Sequence, residues 1–294
     1  MRHLRGRGTA WKTADSRSVM KCAVPSPATN SLTSSAPSFL PSAPCLRILG
    51  VPVHMVSMQE VLGRMENWIR ERTGPHFIAV TSMHGIMESR RHPDFRQVLE
   101  SADLSIPDGR PLVWTAHRRG YPDQELLPGM NLMWAFGELA AKRGYSHFFY
   151  GDTEAVLRQL VERMSERLPG FRVAGAYSPA FRPLTPGEDA EIVRMINQAR
   201  PDVLWVGLGL PKQERWIFEH RDKLEVPVMV AIGAAFKFVS GAMKRAPLWM
   251  QERGLEFIWR LAHEPRRLCH RVLVYGPLFL WRLFLEERGL KKYD

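Results

Sequence analysis

From Leu46 onward, short apolar runs alternate with longer amphipathic stretches. HFIAVTS, HFFYG, FRVAGAYS, DVLWVGLG and VPVMVAIGAAF hold consecutive hydrophobic residues rather than alternating ones, the pattern of strands covered on both faces. LRILGVPVHMV reads as strand and turn, and DLSIPDG as a short strand ending in a turn. SMQEVLGRMENWIRER repeats its apolar residues at helical spacing; Ser57 as N-cap and Glu60 three residues later predict a capping box. GIMESRRHPDFRQVLESA, NLMWAFGELAAKRG, EAVLRQLVERMSERLPG, PGEDAEIVRMINQARP and KQERWIFEHRDKL read as further helices. This alternation predicts an α/β fold over residues 46–243: a Rossmann-like, mostly parallel sheet with helices on both faces. No repeat of about 20 to 50 residues is present, which argues against a solenoid.

Both ends depart from the pattern. Residues 1–45 are rich in Ser, Pro, Thr and Arg, with Asp15 the only acid, and are expected to form a disordered tail. An acid-poor start also suits a transit peptide, and Met20 or Met55 could begin a shorter product. Residues 244–294 form a basic C-terminal appendage in which arginines interleave with Trp, Phe and Leu at helical spacings. Its apolar run, Val272 to Leu285, is broken by Gly276, Pro277 and Arg282, too short and too interrupted to cross a bilayer. Such a helix can lie in a membrane interface or pack its aromatic stripe on the domain, and self-association is another way to bury the stripe. Both readings stay open on composition alone.

Charge sharpens this division. Residues 1–49 carry seven Lys and Arg against one acid, and residues 244–294 eleven against six, so +6 and +5 make up the net +11. Residues 50–243 hold 23 basic and 23 acidic groups and are neutral. An anionic partner is therefore met at the ends. Nucleic acid is not expected, because no recognisable binding module accompanies the charge; an anionic membrane surface fits better. Cys22, Cys45 and Cys269 lie far apart, which suggests neither a zinc site nor a disulfide framework and suits a reducing compartment.

Three glycine turns follow strands: Gly151 and Asp152 in YGDTE, Gly207 and Gly209 in GLGLPKQE, and Gly233 in VAIGAAF. Aligned on one sheet edge, such turns offer backbone N–H groups to phosphate oxygens and point to a nucleoside diphosphate, although each alone is also an ordinary tight turn. The dinucleotide fingerprint is incomplete, since Lys212 stands where its third glycine should be, and a nicotinamide oxidoreductase is disfavoured. There is no Walker A lysine motif and no D-x-D pair, so neither a metal nor a cofactor is expected. In SIPDGRP, Asp108 should project from a turn at the same edge, as a general base or as common Asp-Gly turn chemistry. Thr81 ends the neighbouring strand.

TSMHGIMESRRHPDFRQVLESADLSIPDGRPLVW, PGMNLMWAFGELAAKRG, PDVLWVGLGLPKQERWI and AFKFVSGAMKRAPLWMQERGLEFIWRLAHEPRRL together resemble the WecG/TagA/CpsF glycosyltransferases, in order and spacing, over roughly residues 46–275. The resemblance implies an inverting, metal-independent transferase, passing a sugar from a UDP-sugar to a polyprenyl diphosphate-linked saccharide at the inner face of a bacterial cell membrane. It further implies that Asp108 is the catalytic base and that Thr81, ending the preceding strand, is a catalytic residue beside it. Catalytic arginines would come from the appendage, where Arg260, Arg266, Arg267 and Arg271 match, with Arg245 in the RAP motif. Gly207 and Gly209 would let the backbone approach the donor, while Lys212, Gln213 and Glu214 would bind or order it. Many members have asparagine where Met83 stands, arginine near Leu126, aspartate at Asn131, and F-D-F where this chain reads Phe236, Lys237, Phe238. A non-catalytic membrane-surface scaffold, or a divergent inactive member, is the alternative.

Overall fold

The computed structural model describes residues 42–293, apart from 248, 251–252, 254–255 and 264–270. The disordered tail expected over residues 1–45 lies almost wholly outside the described residues.

The chain opens with an antiparallel hairpin, β1 (Cys45–Ile48) and β2 (Val51–His54), then α1 (Met58–Glu71) and β3 (His76–Thr81). Next come α2 (Met83–Arg91), α3 (Pro93–Glu100), β4 (Leu104–Pro107), α4 (Arg110–Arg118), α5 (Gly129–Arg143) and β5 (Ser146–Gly151). α6 (Glu154–Arg167), β6 (Arg172–Tyr177), α7 (Pro186–Ala199), β7 (Val203–Gly207), α8 (Lys212–His220), β8 (Val228–Ala231) and α9 (Ala235–Ser240) complete the alternation. The appendage contributes α10 (Glu256–His263), a π-helical turn Arg271–Tyr275, and α11 (Gly276–Glu287). Six strands form one parallel sheet in the order β4-β3-β8-β7-β5-β6. The α/β architecture read from the sequence is the one observed.

Why the runs are unalternating is visible in the core. One cluster joins α2, α3, α4, α7 and α8 to one sheet face through Ile86, Phe95, Leu112, Ile196 and Ile217. A second joins α1, α5, α6 and α9 to the other through Met65, Phe136, Leu160 and Phe236. The central strands β3, β8, β7 and β5 are therefore apolar on both sides, and burying one such side chain contributes about 1.5–3 kcal/mol. The order reverses beside β3, with β4 on one side and β5 to β8 on the other, so the crevice beyond the strands' carboxyl ends opens there.

Two elements differ from the expectation. The single helix predicted from GIMESRRHPDFRQVLESA is two, because Pro93 holds the preceding His92 in an extended conformation (φ −127°, ψ 94°) and starts α3 at its first turn. The sequence also predicts no helix directly after SIPDG, yet α4 begins at Arg110, with Pro111 in its first turn. The capping box at Ser57 and Glu60 is present, with Ser57 Oγ accepting from the Glu60 N–H at 3.2 Å and the Ser57 N–H donating to Glu60 Oε2 at 2.7 Å.

The end of the chain packs on the domain. Tyr275, Phe279, Leu283 and Tyr293 are buried in the first core cluster. Glu286 pairs with Arg119 at 2.5 Å and Glu287 with Arg118 at 2.8 Å, tying α11 to the end of α4. Its outer side leaves Leu280, Trp281 and Phe284 exposed, next to exposed Leu273 and Val274. Among the described residues no helix is long and apolar enough to cross a membrane.

Candidate active site

The loops at the carboxyl ends of β3, β4, β7 and β8 converge on one edge. Asp108 follows β4 and is half-buried, held by its own N–H, which donates to the Thr81 carbonyl at the end of β3 at 2.7 Å. Gly109 then turns the chain with φ 139°, a conformation that L side chains resist, and Arg110 enters α4. This turn places Asp108 between the end of β4 and the start of α4, at the carboxyl edge of the sheet. The Thr81 side chain is not at the surface: it is 2% exposed, and its Oγ1 lies 2.7 Å from Ser105 Oγ on β4. Ser105 is itself fixed by its N–H donating to His54 Nδ1 on the hairpin at 2.9 Å. Thr81 therefore supports Asp108 through the backbone, and Ser105 and His54, which sequence reasoning passed over, form the layer beneath. Only the polar residues' positions inside otherwise apolar runs signalled them.

Across the crevice, the glycines of β7 and β8 have two different roles. Gly207 is a close-approach position, where a Cβ would sit 2.5 Å from the ring of buried Phe236. Gly209 has φ 82° and nothing within 4 Å of a would-be Cβ, so it faces open space. Gln213 joins the turns: its Oε1 accepts from the Gly209 N–H at 3.1 Å and the Gly233 N–H at 3.0 Å. Its Nε2 donates to Glu214 Oε1 at 2.8 Å, and both side chains are buried, at 2% and 1% exposed. Burial pushes the Glu214 carboxyl up to about 7, against the opposing hydrogen bonds from Gln213 and its own backbone N–H. Lys212, at the start of α8, is exposed.

The helix starts divide into two groups. α1, α6 and α7 have side-chain caps from Ser57, Thr153 and Thr185 and acids in their first turns. α2, α4, α5, α9 and α11 have neither a side-chain cap nor a first-turn acid, and α3 and α8 have no side-chain cap. Of these, α2, α4, α5 and α8 start at the converging edge: α5 is placed there by the Leu127 N–H donating to the Pro107 carbonyl and by Gly129 against Ile232. Helix starts without side-chain caps, with their positive dipole ends, make this edge favourable for a multiply charged anion.

Other predicted residues fall further out. Gly151 ends β5, one strand beyond, with its Cα against the Gly207 backbone, where a Cβ would come within 2.6 Å. Asp152 has φ 49°, its Oδ1 accepts from the Thr153 N–H at 2.9 Å, and its carbonyl accepts from Ser178 Oγ at 2.6 Å. Arg245 reaches Asn131 Oδ1 in the first turn of α5 at 3.5 Å and Glu256 of α10 at 3.6 Å, connecting the appendage to the edge. Arg260 lies in α10 and Arg271 in the π-helical turn, with side chains outside the described ones; Arg266 and Arg267 fall outside the described residues. Among the described residues no group of three His, Cys, Asp or Glu could hold a metal ion.

The WecG/TagA/CpsF glycosyl transferase family model matches residues 46–293, which takes in the sheet, the converging loops and α11. The chain belongs to this glycosyltransferase family. It is similar to the N-acetylglucosaminyldiphosphoundecaprenol N-acetyl-beta-D-mannosaminyltransferase of Staphylococcus aureus strain MW2, 26% identical over 246 residues, which span 83% of this chain and 94% of that protein. The enzymes of the same name from strains NCTC 8325 / PS 47 and MRSA252 match with the same identity and coverage. In this family member, Asp108 and the glycine turns share the edge on which the uncapped helices start.

Proposed function

We propose that the protein transfers a sugar from a UDP-sugar to a polyprenyl diphosphate-linked saccharide, inverting the anomeric centre without a metal, at the inner membrane face. The observation that carries this is Asp108: a half-buried residue in a turn fixed to the end of β3, on the sheet edge that also holds the Gly209 turn and the uncapped starts of α4 and α8. The acceptor follows the family relatives, whose names specify an N-acetylglucosaminyl diphosphoundecaprenol.

In this mechanism the donor diphosphate lies against the starts of α4 and α8, whose N–H groups and dipoles offset its charge. Asp108 accepts the proton of the acceptor hydroxyl as that oxygen attacks the anomeric carbon from the side opposite the diphosphate. The bond to the β-phosphate oxygen breaks and UDP leaves. Arginines of the appendage, with Arg245 at its base, stabilise the charge growing on the leaving group. Thr81 acts through its carbonyl by holding the Asp108 turn. The exposed Leu280, Trp281 and Phe284 of α11, in a C-terminal region of net charge +5, suit an anionic lipid surface and would bring the enzyme to its acceptor.

The test is incubation with a short-chain polyprenyl diphosphate N-acetylglucosamine and a panel of UDP-sugars, followed by NMR of the product. Inverted configuration at the new linkage, from one donor of the panel, is expected. Retention of configuration would remove the single-displacement mechanism, and no transfer across the panel would favour a non-catalytic scaffold.

A further inference from the structure

One buried polar pair at the edge lies where a bound donor does not need to touch it. Gln213 and Glu214 are both almost fully buried, at 2% and 1% exposed, so neither carries solvent-facing chemistry. Gln213 Oε1 bridges the backbone N–H groups of Gly209 and Gly233, which belong to turns after two adjacent strands, β7 and β8. A side-chain amide has one acceptor end and one donor end, and only one of its two flips satisfies both glycines. The flip is set from behind, because Nε2 donates to Glu214 Oε1 at 2.8 Å. Among the described residues Glu214 Oε2 has no hydrogen-bond partner, so the contact to Gln213 is the one side-chain hydrogen bond the carboxyl makes with them.

We propose that Glu214 is a positioning residue: it locks the Gln213 amide in the orientation that clamps the Gly209 and Gly233 turns together for the donor diphosphate. The assignment rests on the proposed reading of this edge as the donor site, and deepens it. Removing the acceptor oxygen at 214 frees the amide to flip, presents Nε2 to two N–H donors, and releases both turns. Because only an acceptor oxygen is required, glutamine at 214 preserves the lock, whereas methionine, similar in size and without that oxygen, does not.

The experiment measures hydrogen exchange at the Gly209 and Gly233 amides and the dissociation constant for UDP, in the wild type, Glu214→Met, Glu214→Gln, Gln213→Leu and the double variant. For Glu214→Met the expected result is exchange at both glycines faster by about tenfold or more and UDP bound about tenfold more weakly, the scale of losing one buried hydrogen-bond partner. Glu214→Gln should restore both. In a Gln213→Leu background, Glu214→Met should add nothing, since the amide it orients is gone. Unchanged exchange at both glycines in Glu214→Met, or an equal loss in the Gln213→Leu background, would overturn the assignment. Should Glu214→Met not fold, Gln213→Leu must itself release both amides, and protected amides there would overturn it equally. A wild type that does not bind UDP would sink the donor-site reading, while the exchange data would still decide the clamp.

Discussion

Two positions at the edge show how sharply single residues are constrained. Gly207 faces the ring of Phe236, which is fully buried and cannot swing away. Gly207→Ala should therefore lower stability by about 1–3 kcal/mol, seen as a drop in melting temperature, and an unchanged melting temperature would contradict the packing described. Glu214 makes a second prediction through its pKa. Its folded value of about 7 lies above the ordinary 4.5, so the unfolded chain ionises first as pH rises. The stability contributed by the neutral carboxyl is full below about 4.5 and is lost as pH climbs to about 7, a swing of about 3 kcal/mol at most. Glu214→Gln should remove that slope, so chemical denaturation at pH 5 and pH 8 should show a smaller loss for the variant than for the wild type. Equal losses would show that the carboxyl ionises freely in the fold.

At the level of elements, much was legible. Unalternating runs announced a doubly covered sheet because helices do cover both faces, and Ser57 with Glu60 announced the start of α1. The proline at 93 divided a helix that periodicity alone joins, since apolar spacing is blind to a missing N–H. Asp108, Gly209 and Gly233 were visible as turn residues after strands, whereas Gly207 is the last residue of β7 itself. The clamp made by Gln213 was not, because Gly209 and Gly233 meet only when β7 and β8 pair, and no local pattern encodes that pairing. The burial of Tyr275, Phe279 and Leu283 was equally hidden: an aromatic stripe reads alike whether it meets lipid or protein. Phe279→Ala should cost about 3–5 kcal/mol in denaturant unfolding, the penalty of a core cavity, whereas a helix merely tethered to the domain would lose almost nothing.

Across the whole molecule, the neutral domain and the basic end divide the work on the proposed reading. On that reading the sheet edge would take the donor, and the outer side of α11, where Leu280, Trp281 and Phe284 are exposed, would meet the surface that carries the acceptor. Co-sedimentation with vesicles containing anionic lipid should fall with added salt, and Trp281→Ser, at an exposed position, should weaken it further without lowering the melting temperature. Binding unaffected by both changes would place the membrane contact elsewhere. The central claim, that Asp108 is the base of a metal-independent transfer, is tested most directly by acceptor-dependent UDP release in EDTA from the wild type and Asp108→Asn. The account predicts release by the wild type and a loss of about a hundredfold or more in the variant. Equal release by the two proteins would contradict it.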